Sequence, residues 1–249
     1  MAAPRFHCPG PLVPGELFLL PDAIAHHAGR ALRMREGDPI VLFDGTGGEV
    51  TGTLTFQDKR AYAQLGNHDP REAELPGRIT LAQGLPSGDK MDWVVEKSVE
   101  LGVAQIVPIA ARRSVVQLTG ERRAKRVAHW RRVAQAACEQ CGRNRLPQVD
   151  EPVSLADWLA NRDPSSPAFL CHPEATAPLA QALRDAGVQQ AGALTLLVGP
   201  EGGWSDEEVA LAARHGVHAF RFGPRVLRTE TAGLALISAA AALMGWVDS

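Results

Sequence analysis

Leu194-Thr195-Leu196-Leu197-Val198-Gly199-Pro200-Glu201-Gly202-Gly203 runs from an unbroken apolar strand into a glycine-rich turn, and Ser205-Asp206-Glu207-Glu208 follows at once. An apolar run without polar alternation reads as a strand covered on both faces. Ser205 and Glu208 stand three apart, the spacing of a capping box that opens a helix. The same strand-then-helix rhythm extends to both sides. Toward the C-terminus come a strand His218 to Phe222 and a last helix from Glu230. Toward the N-terminus come a helix Ala177 to Ala186, ended by Gly187, and a strand Ala168 to Cys171. Before them lie a long helix Glu121 to Cys141, a strand Ile106 to Ile109, a helix Lys90 to Leu101 and a strand Ile79 to Ala82. Alternation of this kind predicts an α/β fold with a parallel sheet between helical layers.

Residues 1–74 have a different texture. Glu16 to Leu20, Pro39 to Phe43, Glu49 to Phe56 and Ala61 to Leu65 are short strand-like runs. Asp44-Gly45-Thr46-Gly47-Gly48 supplies a turn between two of them. Asp22 is placed to cap a short helix carrying His26, His27 and Arg30. Close strands with little helix predict a small β-barrel. The polar, breaker-rich segment Gly66 to Gly77 separates it from the rest. The expected domains are therefore 1–74 and 75–249.

The chain of 249 residues has a formal net charge of only -2 and an ordinary 45% apolar content, so global charge names no partner. Cys138 and Cys141 form one C-x-x-C pair with no second pair to complete a zinc site, so no metal is expected. The opening residues lack the apolar core of a signal peptide. The most apolar stretch, Ala232 to Val247, is shorter than the roughly 20 residues that span a bilayer. It reads as a buried helix, and the expectation is a cytoplasmic protein.

Ligands of open α/β sheets bind beyond the carboxyl ends of the strands. Two loops there are unusual. In Gly199 to Gly203, three glycines let the backbone pass close to a flat ligand, although the same turn would serve equally as a plain strand-to-helix connection. Phe222-Gly223-Pro224-Arg225-Val226-Leu227-Arg228-Thr229-Glu230-Thr231 joins the last strand to the last helix. As a solvated loop with Thr229 as helix cap it would need neither its two Arg nor its Glu. Gly84 to Lys90 departs from a phosphate-loop spacing, and no dinucleotide or serine-hydrolase motif follows a strand. Between Arg112 and Arg145, ten basic residues fall within 34 positions of a slightly acidic chain. That is a solvated surface or a phosphate-contacting one. Val127, Trp130, Val133, Ala134 and Ala137 form the apolar stripe of its central helix.

With these residues the chain resembles the bacterial small-subunit ribosomal RNA uridine-N3 methyltransferases of the SPOUT superfamily. Gln83-Gly84-Leu85 to Lys90-Met91, Glu96-Lys97 with Glu100 to Val103, and Glu139-Gln140 with Arg143 are also similar, as are Pro4-Arg5-Phe6 and His26 to Leu32. The likeness covers nearly the whole chain; Cys141 departs from it, and Glu151 to Pro167 match weakly. The resemblance implies a SPOUT-type parallel sheet whose C-terminal segment threads a trefoil knot, an arrangement no general rule of folding would suggest. It implies a PUA-like RNA-binding barrel at the N-terminus and a homodimer, which suits a last helix apolar all round. It implies that Leu170, Val198, Gly199, Pro200, Gly202, Gly203, Phe222, Gly223, Val226, Leu227, Arg228, Thr231 and Ala232 hold S-adenosylmethionine, largely through backbone groups.

The reaction expected is methylation of N3 of a uridine in the decoding region of 16S rRNA. Its N3 carries a proton and lies between two carbonyls. A nearby Arg would stabilise the charge that develops on those oxygens, and a carboxylate would accept the proton. Arg228 and Glu230 are the leading residues for these roles, with Glu201 as the second carboxylate. Arg5, Lys90, Lys97, Arg112, Arg122, Arg123, Arg126 and Arg143 are expected to contact RNA. The alternatives are methylation of another RNA, such as a transfer RNA, and a non-catalytic RNA-binding protein.

Overall fold

The computed structural model describes residues 3–58 and 60–247; the outer bounds of the two expected domains, Met1 and Ser249, lie outside the described residues. The first unit runs as far as Glu74. It contains β1 (Arg5–His7), β2 (Leu17–Leu19), α1 (Asp22–His26) with a π-helical turn at His27–Ala31, β3 (Pro39–Phe43), β4 (Glu49–Gln57) and β5 (Arg60–Asp69). Among the described residues these strands form a five-stranded mixed sheet in the order β1-β3-β4-β5-β2. Only β1 and β3 run parallel. Ala61, Ala63 and Leu65 point inward on β5 at the period of two that a half-buried strand requires. They meet Phe6, Ile40, Leu42, Val50 and Leu54 in one apolar core. Asp22 does not cap α1. Pro21 holds the cap position without a side-chain bond, and Asp22 sits in the first turn, where the helix dipole favours its charge.

This unit also takes in Cys138–Leu146, which the sequence alone assigns to the second domain. Buried polar groups make the link. Arg5 pairs with Glu49, and its guanidinium also donates to Asn144 Oδ1 at 2.5 Å. Asn144 Nδ2 donates to the Arg71 carbonyl at 2.7 Å, and the Arg71 guanidinium donates to the Gly142 carbonyl at 3.0 Å. Arg143, its side chain 3% exposed, pairs with Glu74 at 2.5 Å. Burial alone would lower the Arg143 pKa, but Glu74 reverses the sign and holds it above its ordinary value.

The second unit comprises Leu75–Ala137 and the chain from Pro147 on. Its elements are β6 (Arg78–Gly84), α2 (Lys90–Glu100), β7 (Gln105–Ala110), α3 (Gly120–Cys141, ending in the first unit), β8 (Gln148–Val149), β9 (Val153–Ser154), α4 (Leu155–Asn161), β10 (Ala168–Cys171), α5 (Leu179–Asp185), α6 (Val188–Ala191), β11 (Ala193–Val198), α7 (Asp206–Arg214), β12 (His218–Phe220) and α8 (Thr229–Leu243). The strand order is β12-β10-β11-β6-β7-β8, with β9 also on β7, and every pairing is parallel. Central strands β6 and β11 are buried along nearly their whole length, as a sheet covered on both faces demands.

Two expectations change here. The weakly matching stretch after Glu151 holds a helix, α4, whose Ser154 side chain accepts from the Asp157 amide. The last helix is not buried all round. Thr229, Ala232, Gly233, Leu236, Ile237, Ala240 and Ala241 are buried at helical spacing, while Leu243 is 48% exposed. On α3, Val127, Trp130, Ala134 and Ala137 are buried as the stripe predicts, and Val133 is half-buried. Among the described residues no helix is long and apolar enough to cross a membrane.

Candidate active site

The carboxyl ends of β10, β11 and β12 open on one cleft of about 850 Å³, within the range that holds a drug-sized ligand. Its walls are the loops 171–174, 198–204 and 221–230, with Lys90, Arg113, Asp206, Ala232 and Leu236. The loops touch because their glycines allow it. A Cβ on Gly84 would stand 2.5 Å from the Pro200 nitrogen, and one on Gly202 2.9 Å from the Arg113 Cβ.

Thr229, from the charged loop, and two side chains that the sequence does not mark as site residues, Gln83 and Arg113, hold these loops together. The Thr229 hydroxyl donates to the Gly199 carbonyl at 2.5 Å and accepts from Gln83 Nε2 at 2.8 Å. Gln83 is fully buried, and Thr229 is nearly so. This chain ties the end of β6, the turn after β11 and the start of α8. Thr229 is thus the first residue of α8 and not its cap; Arg228 occupies the cap position without a side-chain bond. Arg113 Nη1 donates to the Gly202 and Trp204 carbonyls, both at 3.2 Å. In the sequence Gln83 stands only in a motif and Arg113 only in a run of basic residues. Nothing local marks either as a loop anchor.

Glu201 is a fourth anchor. It accepts from the Ser87 amide at 3.0 Å, the Ser87 hydroxyl at 2.7 Å and Lys90 Nζ at 2.8 Å. Its partial burial pushes the carboxyl up, but the Lys90 and Ser87 bonds outweigh that and hold it at about 2. Lys90 Nζ also lies 3.7 Å from Glu230 Oε2. Glu230 Oε2 is buried and makes no hydrogen bond.

The expected cofactor-binding residues mostly converge. Val198, Gly199, Pro200, Gly202, Gly203, Phe222, Gly223, Val226, Leu227, Arg228 and Ala232 line the cleft, whereas Leu170 and Thr231 are not among its lining residues. Leu170 packs in the core beside Leu197 and Trp204, and Thr231 is exposed on α8. The backbone amides of Gly223, Val226 and Leu227 are taken up by no hydrogen bond within the chain, among the described residues. A rim of free amides beside a glycine turn is a donor set for the edge of a heterocycle and for a carboxylate. The cleft therefore fits S-adenosylmethionine in size and in donors. Among the described residues no cluster of His, Cys, Asp or Glu could hold a metal ion.

The expected RNA contacts separate into two groups. Arg5 and Arg143 are paired with Glu49 and Glu74 inside the first unit, so their guanidinium groups help to hold the fold. Lys97 is held by Glu96 and Glu100 at 2.7 Å each and lies over the Trp93 ring. Arg112 meets Glu207 and Arg123 meets Glu151 in exposed pairs, which are weak. Arg122 and Arg126 line a surface groove on α3 with Lys125 and His129. Arg126 reaches Asp89 at 3.1 Å, one residue before Lys90 at the cleft.

Comparison with known proteins agrees with this layout. The model of an RNA methyltransferase domain matches residues 73–241, and that of an RNA methyltransferase PUA domain matches residues 20–65. The chain is 32% identical to the ribosomal RNA small subunit methyltransferase E of Bacillus subtilis, over 86% of this chain and 85% of the relative. It is 32% identical to that of Mycobacterium tuberculosis, over 90% and 85%. A crystal structure of ribosomal RNA small subunit methyltransferase E from Neisseria gonorrhoeae, bound to S-adenosyl methionine, matches with a TM-score of 0.89 and 39% identity over 97% of this chain and 98% of that one. A methyltransferase structure from Legionella pneumophila, in complex with SAM, matches with a TM-score of 0.89 and 36% identity over the same shares.

Proposed function

The chain belongs to the RNA methyltransferase family of ribosomal RNA small subunit methyltransferase E, and from that premise we propose that it transfers the methyl group of S-adenosylmethionine to N3 of a uridine in the decoding region of 16S rRNA. One observation carries the reading. The cleft-lining loop that Thr229 ties to the glycine turn carries backbone amides with no hydrogen bond among the described residues, and the Glu230 carboxylate of the same cleft has a buried oxygen without a hydrogen bond.

The bound cofactor supplies an activated methyl group on a sulfonium sulfur. The chain has to place the target nitrogen in line with it, and positioning dominates such a step. Arg228, exposed at the start of α8, supplies positive charge for the uracil oxygens as the N3 proton leaves. That proton passes to the Glu230 carboxylate, which lines the cleft. The electron pair left on N3 bonds the methyl carbon while the C–S pair returns to sulfur. Glu201 is a poor base, because a carboxyl held at about 2 has little pull on a proton at neutral pH. Its part is to fix the Ser87 to Lys90 segment against the glycine turn.

N3 lies on the Watson–Crick edge, so the uridine enters unpaired or flipped. Its flanking phosphates meet the groove on α3. The C-terminal segment carrying the two loops threads the family's knot. A second copy of the chain covers the outer face of α8, where Leu234, Ala235 and Ala239 are only half-buried and Leu243 is exposed. The protein works in the cytoplasm, where its rRNA is made. Titration calorimetry with S-adenosylmethionine tests the cofactor site. The reading requires saturable binding at a single site per chain, and an absence of heat would leave a non-catalytic RNA-binding protein.

A further inference from the structure

Lys90 is expected from the sequence to contact RNA, and its surroundings argue for another task. The ammonium is 2.8 Å from Glu201 and 3.7 Å from Glu230, so it lies between two carboxylates and not at a free phosphate site. Glu201 is itself pinned by both the amide and the hydroxyl of Ser87. The ammonium is therefore tethered to a fixed anion at the foot of α2. Glu230 has no comparable support. Its Oε2 makes no hydrogen bond, and Lys90 is the cation that reaches it.

We propose that Lys90 is a positioning residue for methyl transfer, tethered by Glu201 so that it aims the Glu230 carboxylate at the nitrogen that gives up its proton. This rests on the methyltransferase reading above. A carboxylate in a cleft, unbonded at one oxygen, has rotamers to choose from, and proton transfer needs heavy atoms within about 2.6–3.2 Å. An ammonium within 4 Å, with its own position fixed, selects the rotamer that faces it. The charged groups that act on Lys90 are Glu201, Glu230 and Arg228. Of the two cations, only Lys90 is held by a second carboxylate in the structure. The hydrogen bond from Lys90 to Glu201, with the charges of Glu201 and Glu230, raises the Lys90 pKa against a smaller desolvation effect, so the ammonium persists at any working pH.

The experiment compares Lys90→Met and Lys90→Arg in the full-length protein. Steady-state methylation of small-subunit rRNA is measured together with S-adenosylmethionine affinity. A positioning role lowers kcat by about 10- to 100-fold in Lys90→Met, part of the 10²–10⁴-fold that a placed proton acceptor supplies. The KM for RNA and the cofactor Kd stay within about threefold, as for an interaction used in the transition state alone. Lys90→Arg keeps the charge and restores most of kcat. A second readout needs no activity. In the cofactor-free protein, NMR titration of the Lys90 ammonium shifts downward in Glu230→Gln and in Glu201→Gln.

An unchanged kcat in Lys90→Met, with a raised KM and a salt slope reduced by about one, would make Lys90 a phosphate contact and overturn the proposal. So would a Lys90 titration indifferent to Glu230→Gln. A wild-type protein that binds cofactor and never methylates rRNA would instead sink the methyltransferase reading, while the ammonium titration would still decide whether Lys90 holds Glu230.

Discussion

Thr229 carries more of the site than its size suggests. Its one hydroxyl both donates to the Gly199 carbonyl and accepts from Gln83, and both side chains are buried. Thr229→Val keeps the shape, removes the donor from the Gly199 carbonyl and leaves Gln83 Nε2 with its bond to the Gly84 carbonyl alone. Leaving a buried polar group unpaired costs about 1–3 kcal/mol, so the denaturant midpoint of the second unit should fall by that equivalent. An unchanged midpoint would mean the loops are held elsewhere. Glu201 makes a prediction with a definite sign. Its carboxyl is held at about 2 against an ordinary 4.5, so its stabilising effect is complete above about 4.5 and is lost as pH falls toward 2. The stability difference between the wild type and Glu201→Gln should therefore be flat above pH 5.5, roughly one unit clear of that range, and shrink below it. A difference independent of pH would show that the Ser87 and Lys90 bonds do not depend on the charge.

At the scale of elements, the segment Cys138–Leu146 is held to the first unit by paired buried charge. Removing one partner of such a pair is far more damaging than replacing both. Glu74→Ala should cost about 3 kcal/mol in thermal or chemical unfolding by leaving Arg143 buried without its carboxylate. A change below about 0.5 kcal/mol, the range of surface substitutions, would show the pair to be solvated in practice. This segment also marks a limit of what the sequence can reveal. The strands and helices around Val198 announce themselves through apolar runs and a capping box, which are local signals. The return of a helix end to a sheet some 70 residues earlier in the chain leaves no local signal, and its arginines look like an RNA surface. Likewise the glycine turn and the charged loop are legible as site material. Gln83 and Arg113 are not, because their partners are brought close only by the fold. The outer face of α8 misleads for a related reason: alanine, glycine and leucine read as buried whether the cover comes from the same chain or from another.

For the whole molecule, a net charge of -2 hides a face of α3 where Arg122, Lys125, Arg126 and His129 line a groove together with Glu121. Arg122→Ala, Arg123→Ala and Arg126→Ala combined should weaken RNA binding and reduce its log–log salt slope by about 2 to 3, roughly one for each phosphate no longer neutralised. A salt slope equal to that of the wild type would reduce the groove to a solvated surface. The central claim is that the cleft methylates N3 of a uridine in small-subunit rRNA. Mass spectrometry of 16S rRNA nucleosides from a strain lacking this chain tests it most directly. 3-Methyluridine is expected to disappear from the deletion strain and to return when its ribosomal RNA is incubated with the purified protein and S-adenosylmethionine. A deletion strain whose 16S rRNA keeps its 3-methyluridine in full would contradict it.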